Sequence, residues 1–150
     1  MVSMRWIYQY SHIQCLKESI MPILNVLLSG PAQEQKTQQV AQMLGEFTSR
    51  ILHKKPELTS IAIRYVEPEH WIVGGQSLAA QNKSSAFVEI KITDETNTRL
   101  EKAAYIQAVY DGLLNLMPDL HHESYIHVDD VRAGAYGYGG KTQEYRAHQT

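Results

Sequence analysis

The sequence has one cysteine, Cys15, in 150 residues, so it has no internal disulfide framework and no cysteine-built metal cluster. That scarcity fits a reducing compartment. Excess charge of one sign is also missing: 14 Lys and Arg stand against 16 Asp and Glu, for a formal net charge of −2. A nucleic-acid footprint needs clustered basic excess, so no nucleic-acid partner is expected. Nor is there an uninterrupted apolar run near the roughly 18–20 residues needed to cross a bilayer, so no membrane partner is expected either. The first twenty residues carry Gln, Ser, His, Lys and Glu where a secretory signal would need an apolar stretch, and a cytoplasmic location is the expectation. A length of 150 residues suits one domain or two small halves sharing a core.

Internal repetition is present instead. The apolar run Ile23-Leu24-Asn25-Val26-Leu27-Leu28 has the shape of Phe87-Val88-Glu89-Ile90-Lys91-Ile92, 64 positions on. Both alternate as strands, with Leu24, Val26 and Leu28, then Val88, Ile90 and Ile92, on the inward face. Each is followed by an amphipathic helical stripe: Val40, Met43, Leu44, Phe47 and Ile51 in one, Ile106, Val109, Tyr110, Leu113 and Met117 in the other. Pro56 and Pro118 come after the stripes, where the helices should have ended. A second strand follows in each copy, Ile61–Arg64 and Ile126–Asp129, 65 residues apart. Trp71-Ile72-Val73-Gly74-Gly75 then closes the first copy and Tyr136-Gly137-Tyr138-Gly139-Gly140 the second, again displaced by 65. The expected fold is α/β in the two-layer α+β sense. Tandem β-α-β repeats, 22–85 and 86–150, form a four-stranded mixed sheet with two helices on one face. The bare face needs covering by other subunits, which predicts a homo-oligomer.

The run MPILNVLLSG, the segment KKPELTSIAIRYVEPEHWIVGG and the doubled β-α-β layout together resemble the tautomerase superfamily. The resemblance covers 22–140 and is to fused-repeat members of the kind of macrophage migration inhibitory factor and cis-3-chloroacrylic acid dehalogenase. It implies a homotrimer with active sites at subunit contacts. It also implies an isomerase, a tautomerase moving protons on small 2-oxo or enol acids, whose base is an N-terminal proline. The matching residue is Pro22, so residues 1–21 are expected to be an extension or a start assigned too early.

The chemistry explains why the proline must come first. Inside a chain its nitrogen is an amide, with the lone pair delocalised into the carbonyl. At a terminus it is a secondary amine, with reference behaviour near an α-amino pKa of about 7.7–8.0. Burial beside a cation lowers that value. The amine can then take a proton from carbon beside a carbonyl and return it elsewhere, with no metal or organic cofactor. The second copy has Ala86 at this position, so one catalytic amine per chain is expected.

The resemblance also suggests substrate-binding residues. An arginine of 4-oxalocrotonate tautomerase matches Ala62 here, and Arg64, two residues on, is either its replacement as a carboxylate clamp or a solvated strand residue. Tyr125 and His127 match pocket residues of macrophage migration inhibitory factor, His127 otherwise being a surface residue. Lys55, before Pro56, is either a carboxylate contact or a helix-end lysine favoured by the dipole. Trp71 matches a pocket phenylalanine and Tyr136 is its repeat mate; both would wall the proline or pack at a subunit contact. Arg132 is a further cation near the tail. A hydratase or dehalogenase on the same scaffold, or a non-catalytic binding protein, are the alternative functions. Two other patterns carry no function: Ala135–Thr142 lacks the first glycine of a phosphate-binding loop and reads as a loop, and His121-His122-Glu123 lacks zinc-ligand spacing.

Overall fold

The computed structural model describes residues 21–149; the expected extension, with Cys15, lies outside the described residues apart from Met21. The first repeat runs β1 (Ile23–Ser29), α1 (Glu34–Arg50), β2 (Ser60–Val66), then a short hairpin of β3 (Ile72–Val73) and β4 (Gln76–Ser77), and a single helical turn α2 (Leu78–Gln81). The second repeats that order: β5 (Ala86–Thr93), α3 (Arg99–Leu116), β6 (Tyr125–Val131), a hairpin of β7 (Gly137–Tyr138) and β8 (Lys141–Thr142), and α4 (Gln143–Ala147). One sheet holds the long strands in the order β2-β1-β5-β6. Within each repeat the strands are parallel, and β1 and β5 meet antiparallel at the centre, Val26 opposite Val88. A pseudo-two-fold therefore passes through the middle of the sheet.

The core sits between the sheet and the two long helices. Leu24, Val26 and Leu28 from β1 and Val88, Ile90 and Ile92 from β5 are at most 1% exposed, the alternation expected of half-covered strands. Val40 and Leu44 of α1 and Tyr105, Val109 and Leu113 of α3 close over them. The α3 stripe differs from the sequence expectation by one position at its start. Ile106 is 39% exposed and Tyr105 takes the buried place. The reason is polar: the Tyr105 hydroxyl meets Thr48 Oγ1 of α1 at 3.0 Å inside the core, so the tyrosine occupies the helix seam. The same seam is tight at Gly112, where a Cβ would lie 2.2 Å from Met43 Sδ. Thr98 and Glu101 form a reciprocal capping box that fixes the start of α3.

Burial pushes the Tyr105 phenol up to about 12, against the smaller opposing effect of the Thr48 hydrogen bond. A raised folded value means that the associated stability is complete below pH 10 and falls as pH rises through about 12. Tyr105→Phe should cost about 1 kcal/mol at neutral pH, from the lost hydrogen bond. It should also flatten the loss of stability in urea melts carried above pH 10.

Both hairpins turn on a Gly-Gly pair with positive φ, 62° and 81° at Gly74 and Gly75, 58° and 77° at Gly139 and Gly140. A two-residue turn of this hand suits the strand twist and demands residues tolerant of φ > 0. Ser77 and Thr142 then cap the following helical turns, accepting from Ala80 N and Tyr145 N. Ala135–Thr142 is thus not a loop but carries the second hairpin. No helix among the described residues is long and apolar enough to cross a membrane.

Candidate active site at the Pro22 end of the sheet

Pro22 precedes β1 and is buried. Its carbonyl accepts from Ser60 N at 3.2 Å, and the adjacent Ile23 lies opposite both Ser60 and Lys91. This places it at the end of the sheet where β2 begins and β5 and β6 finish. With Met21 attached, its nitrogen is an amide and has no basicity.

The tail of the second repeat covers this end. The Tyr136 hydroxyl meets Thr93 Oγ1 at 2.6 Å, and Tyr136 carbonyl accepts from Gln143 N at 3.0 Å. Burial holds the Tyr136 phenol above its ordinary range, while hydrogen bonds with Thr93 and Gln143 pull it back. Gln143 is only 2% exposed; its Nε2 donates to the Met21 carbonyl at 3.4 Å, and its Oε1 has no partner among the described residues. Arg146 donates to Tyr138 carbonyl at 2.9 Å and stacks on the Tyr138 ring with its guanidinium carbon 3.7 Å from the centroid. The hairpin carrying these groups closes tightly at Gly137, where a Cβ would stand 1.9 Å from the Lys141 carbonyl oxygen. Gly137→Ala should therefore open β7–β8, costing about 1–3 kcal/mol and lifting Tyr136 off Thr93. A fall in melting temperature together with a changed Tyr136 environment in near-UV circular dichroism would check this.

The structure divides the other sequence-selected residues between the two ends of the sheet. Lys55 lies in the segment entering β2 and Arg132 just past β6, at the Pro22 end with Tyr136; the Arg132 carbonyl accepts from Ala135 N at 2.8 Å. His127 is exposed in mid-sheet, opposite Glu89. Arg64 pairs with Leu27, five residues and about 17 Å along β1 from Pro22. Trp71 and Tyr125 are also at that far end. They line an open cavity of about 720 Å³ with Leu27, Ile72, Phe87 and His121. It surrounds the start of β5, where Ala86 is the counterpart of Pro22, and is the pseudo-symmetric equivalent of the Pro22 end. There Tyr125 donates to Glu123 Oε2 at 3.1 Å, which raises its pKa. His121 Nδ1 accepts from Glu123 N at 3.0 Å and Nε2 faces Gln81 Oε1 at 3.2 Å. The described residues contain no group of three or more potential metal ligands.

The two ends differ in charge. Leu27, Gln76 and Gln81 line the far cavity; their repeat mates are Lys91, Lys141 and Arg146. The acid Glu123 there corresponds to Leu58. Lys91 already bridges Glu89 and, at 3.0 Å, Asp129, contacts that raise its pKa. Sequence reasoning overlooked Gln143 and Thr93. The 65-residue offset would have found the first, since Gln143 stands where the first repeat has Leu78.

No protein-family model and no curated protein matches the chain by sequence. Solved structures match it by shape. Native fused 4-OT superposes with a TM-score of 0.71 at 18% identity, covering 81% of this chain and 96% of its own. A wild-type fused 4-OT forming a symmetric trimer gives 0.68 at 15% identity, with 82% and 97% covered. A macrophage migration inhibitory factor-like protein from Entamoeba histolytica gives 0.67 at 16% identity, with 81% and 98% covered. The chain has the fused-repeat fold of the tautomerase superfamily.

Proposed function

We propose that the chain is a cofactor-independent tautomerase of small 2-oxo or enol acids, with Pro22 as general base once it is the first residue. The supporting observation is a buried proline at one end of a pseudo-symmetric sheet, where the repeat mates of the neutral cavity-lining Gln76 and Gln81 are the cations Lys141 and Arg146, Lys91 being offset by Glu89 and Asp129. Burial and nearby positive charge both disfavour a protonated amine. The same cations favour an acidic substrate. Lys55 and Arg132 add to that field, and Tyr136 supplies an aromatic wall.

The working unit in this reading is a cytoplasmic homotrimer, as in the trimeric fused 4-OT. Arg64, Trp71, Tyr125 and His127 reach the amine of a neighbouring subunit, because their own chain holds them mid-sheet or at the far end. The uncovered sheet face, with Ala62, Arg64, Glu89 and His127, forms part of the subunit contact.

The test is ketonisation of phenylenolpyruvate by protein whose first residue is Pro22, followed across pH. The rate should rise as an amine deprotonates, along a single limb centred below about 8. A rate that falls over that limb would indicate a protonated proline acting as general acid, the hydratase or dehalogenase alternative. No turnover at any pH would leave a binding protein on the same scaffold.

A further inference from the structure

We infer that Gln143 is the positioning residue of the Pro22 amine, holding its N–H through the side-chain carbonyl so that the lone pair faces the substrate. This rests on Pro22 being the first residue of the working protein.

Gln143 Nε2 already touches the Met21 carbonyl oxygen at 3.4 Å. That oxygen is separated from the Pro22 nitrogen by one C=O and one C–N bond, so Nε2 lies within about 6 Å of that nitrogen, and a half-turn of the terminal amide exchanges Nε2 for Oε1 on that side. Removing residues 1–21 takes away this acceptor and exposes a secondary amine in its place. Gln143 is 2% exposed, and its Oε1 has no donor among the described residues. A buried carbonyl without a donor is unfavourable, and the freed N–H is the donor it lacks.

Comparison of the two halves supports the assignment. Gln143 N bonds the Tyr136 carbonyl as Leu78 N bonds the Trp71 carbonyl, at 3.0 and 2.8 Å, so Gln143 and Leu78 are structural equivalents. Both are buried. The tail that covers Pro22 carries the amide; the tail beside Ala86 carries the leucine. The polar group occurs only at the end that has a proline.

Tyr136 orients the amide in turn, its hydroxyl lying between Thr93 Oγ1 and the Gln143 side chain. The charged groups near this end include Lys91, held by Glu89 and Asp129, Asp130, held by Lys102, Lys54, which donates to Thr96 Oγ1 at 3.0 Å, Asp94, whose N–H donates to the Val131 carbonyl at 2.9 Å, and Lys55, Arg132, Lys141, Glu144 and Arg146. A substitution at Gln143 leaves all of them in place.

The experiment is a ¹⁵N-proline NMR titration of the Pro22 amine in trimeric protein starting at Pro22, with phenylenolpyruvate kinetics beside it. Gln143→Glu should move the amine midpoint up by about one pH unit or more, because a carboxylate favours the ammonium. Gln143→Met, of similar length but without the amide, should move it down and lower kcat about tenfold with little change in KM. The downward shift of Gln143→Met joined to a loss in kcat at little-changed KM carries the test, since a carboxylate near the amine raises its midpoint with or without a bond to it. If Gln143→Met does not fold, Gln143→Asn serves, with a downward shift expected. An unmoved midpoint in folded variants overturns the inference while leaving the tautomerase reading intact. A parent whose amine titrates without turnover removes that reading, yet the NMR shifts still decide the contact.

Discussion

A chain that keeps residues ahead of Pro22 should ketonise phenylenolpyruvate about 10²–10⁴-fold more slowly than one beginning at Pro22, the range a positioned general base contributes. The two proteins should share the same fold, since the core residues, from Leu24 to Leu120, all follow Pro22. The difference is electronic: one added peptide bond turns an amine lone pair into part of an amide. Pro22→Ala in the shorter protein should fall between the two, because a primary amine remains but no longer has the ring geometry or the same basicity. Intact mass of the native protein, taken with those three rates, separates a misassigned start from a processed extension. Equal turnover with and without the extension would remove Pro22 from the chemistry.

The largest stability loss is expected at the sheet centre. Ile90 is fully buried on β5 and faces Leu24 of β1 in the antiparallel register. Ile90→Ala removes three carbons from a site closed by both helices and should destabilise by about 2–5 kcal/mol. In a domain of this size, that lowers the melting midpoint by on the order of 10 °C. Thermal melts at matched protein concentration would measure it, since assembly adds to apparent stability. A loss below about 1 kcal/mol would mean that the two repeats do not share one core.

The repeat made the fold legible. Period-two runs at Leu24–Leu28 and Val88–Ile92, the helical stripes and the Gly-Gly pairs each report a local backbone preference, and each appears twice in the same order. The Ile106 discrepancy shows where periodicity is ambiguous: steps of three and of four back from Val109 reach Ile106 and Tyr105, and only the tertiary partner Thr48, 57 residues away in the chain, shows that a buried tyrosine hydroxyl is satisfied. The site was less legible for the same reason. Pro22 could be singled out from its neighbours in sequence, but the antiparallel join of β1 and β5 is what sends Trp71 and Tyr125 to the Ala86 end. Gln143 carries no motif; its meaning comes from a buried carbonyl without a donor and from a leucine in the equivalent place.

The central antiparallel join also bears on how such a molecule can change. A single-repeat subunit paired with a copy of itself has identical ends, so any replacement alters both together. Here the two ends are encoded separately: Gln143 stands against Leu78, Lys141 against Gln76, Arg146 against Gln81. A substitution at the Pro22 end therefore leaves the lining of the 720 Å³ hollow at the opposite end unchanged, and the reverse holds too.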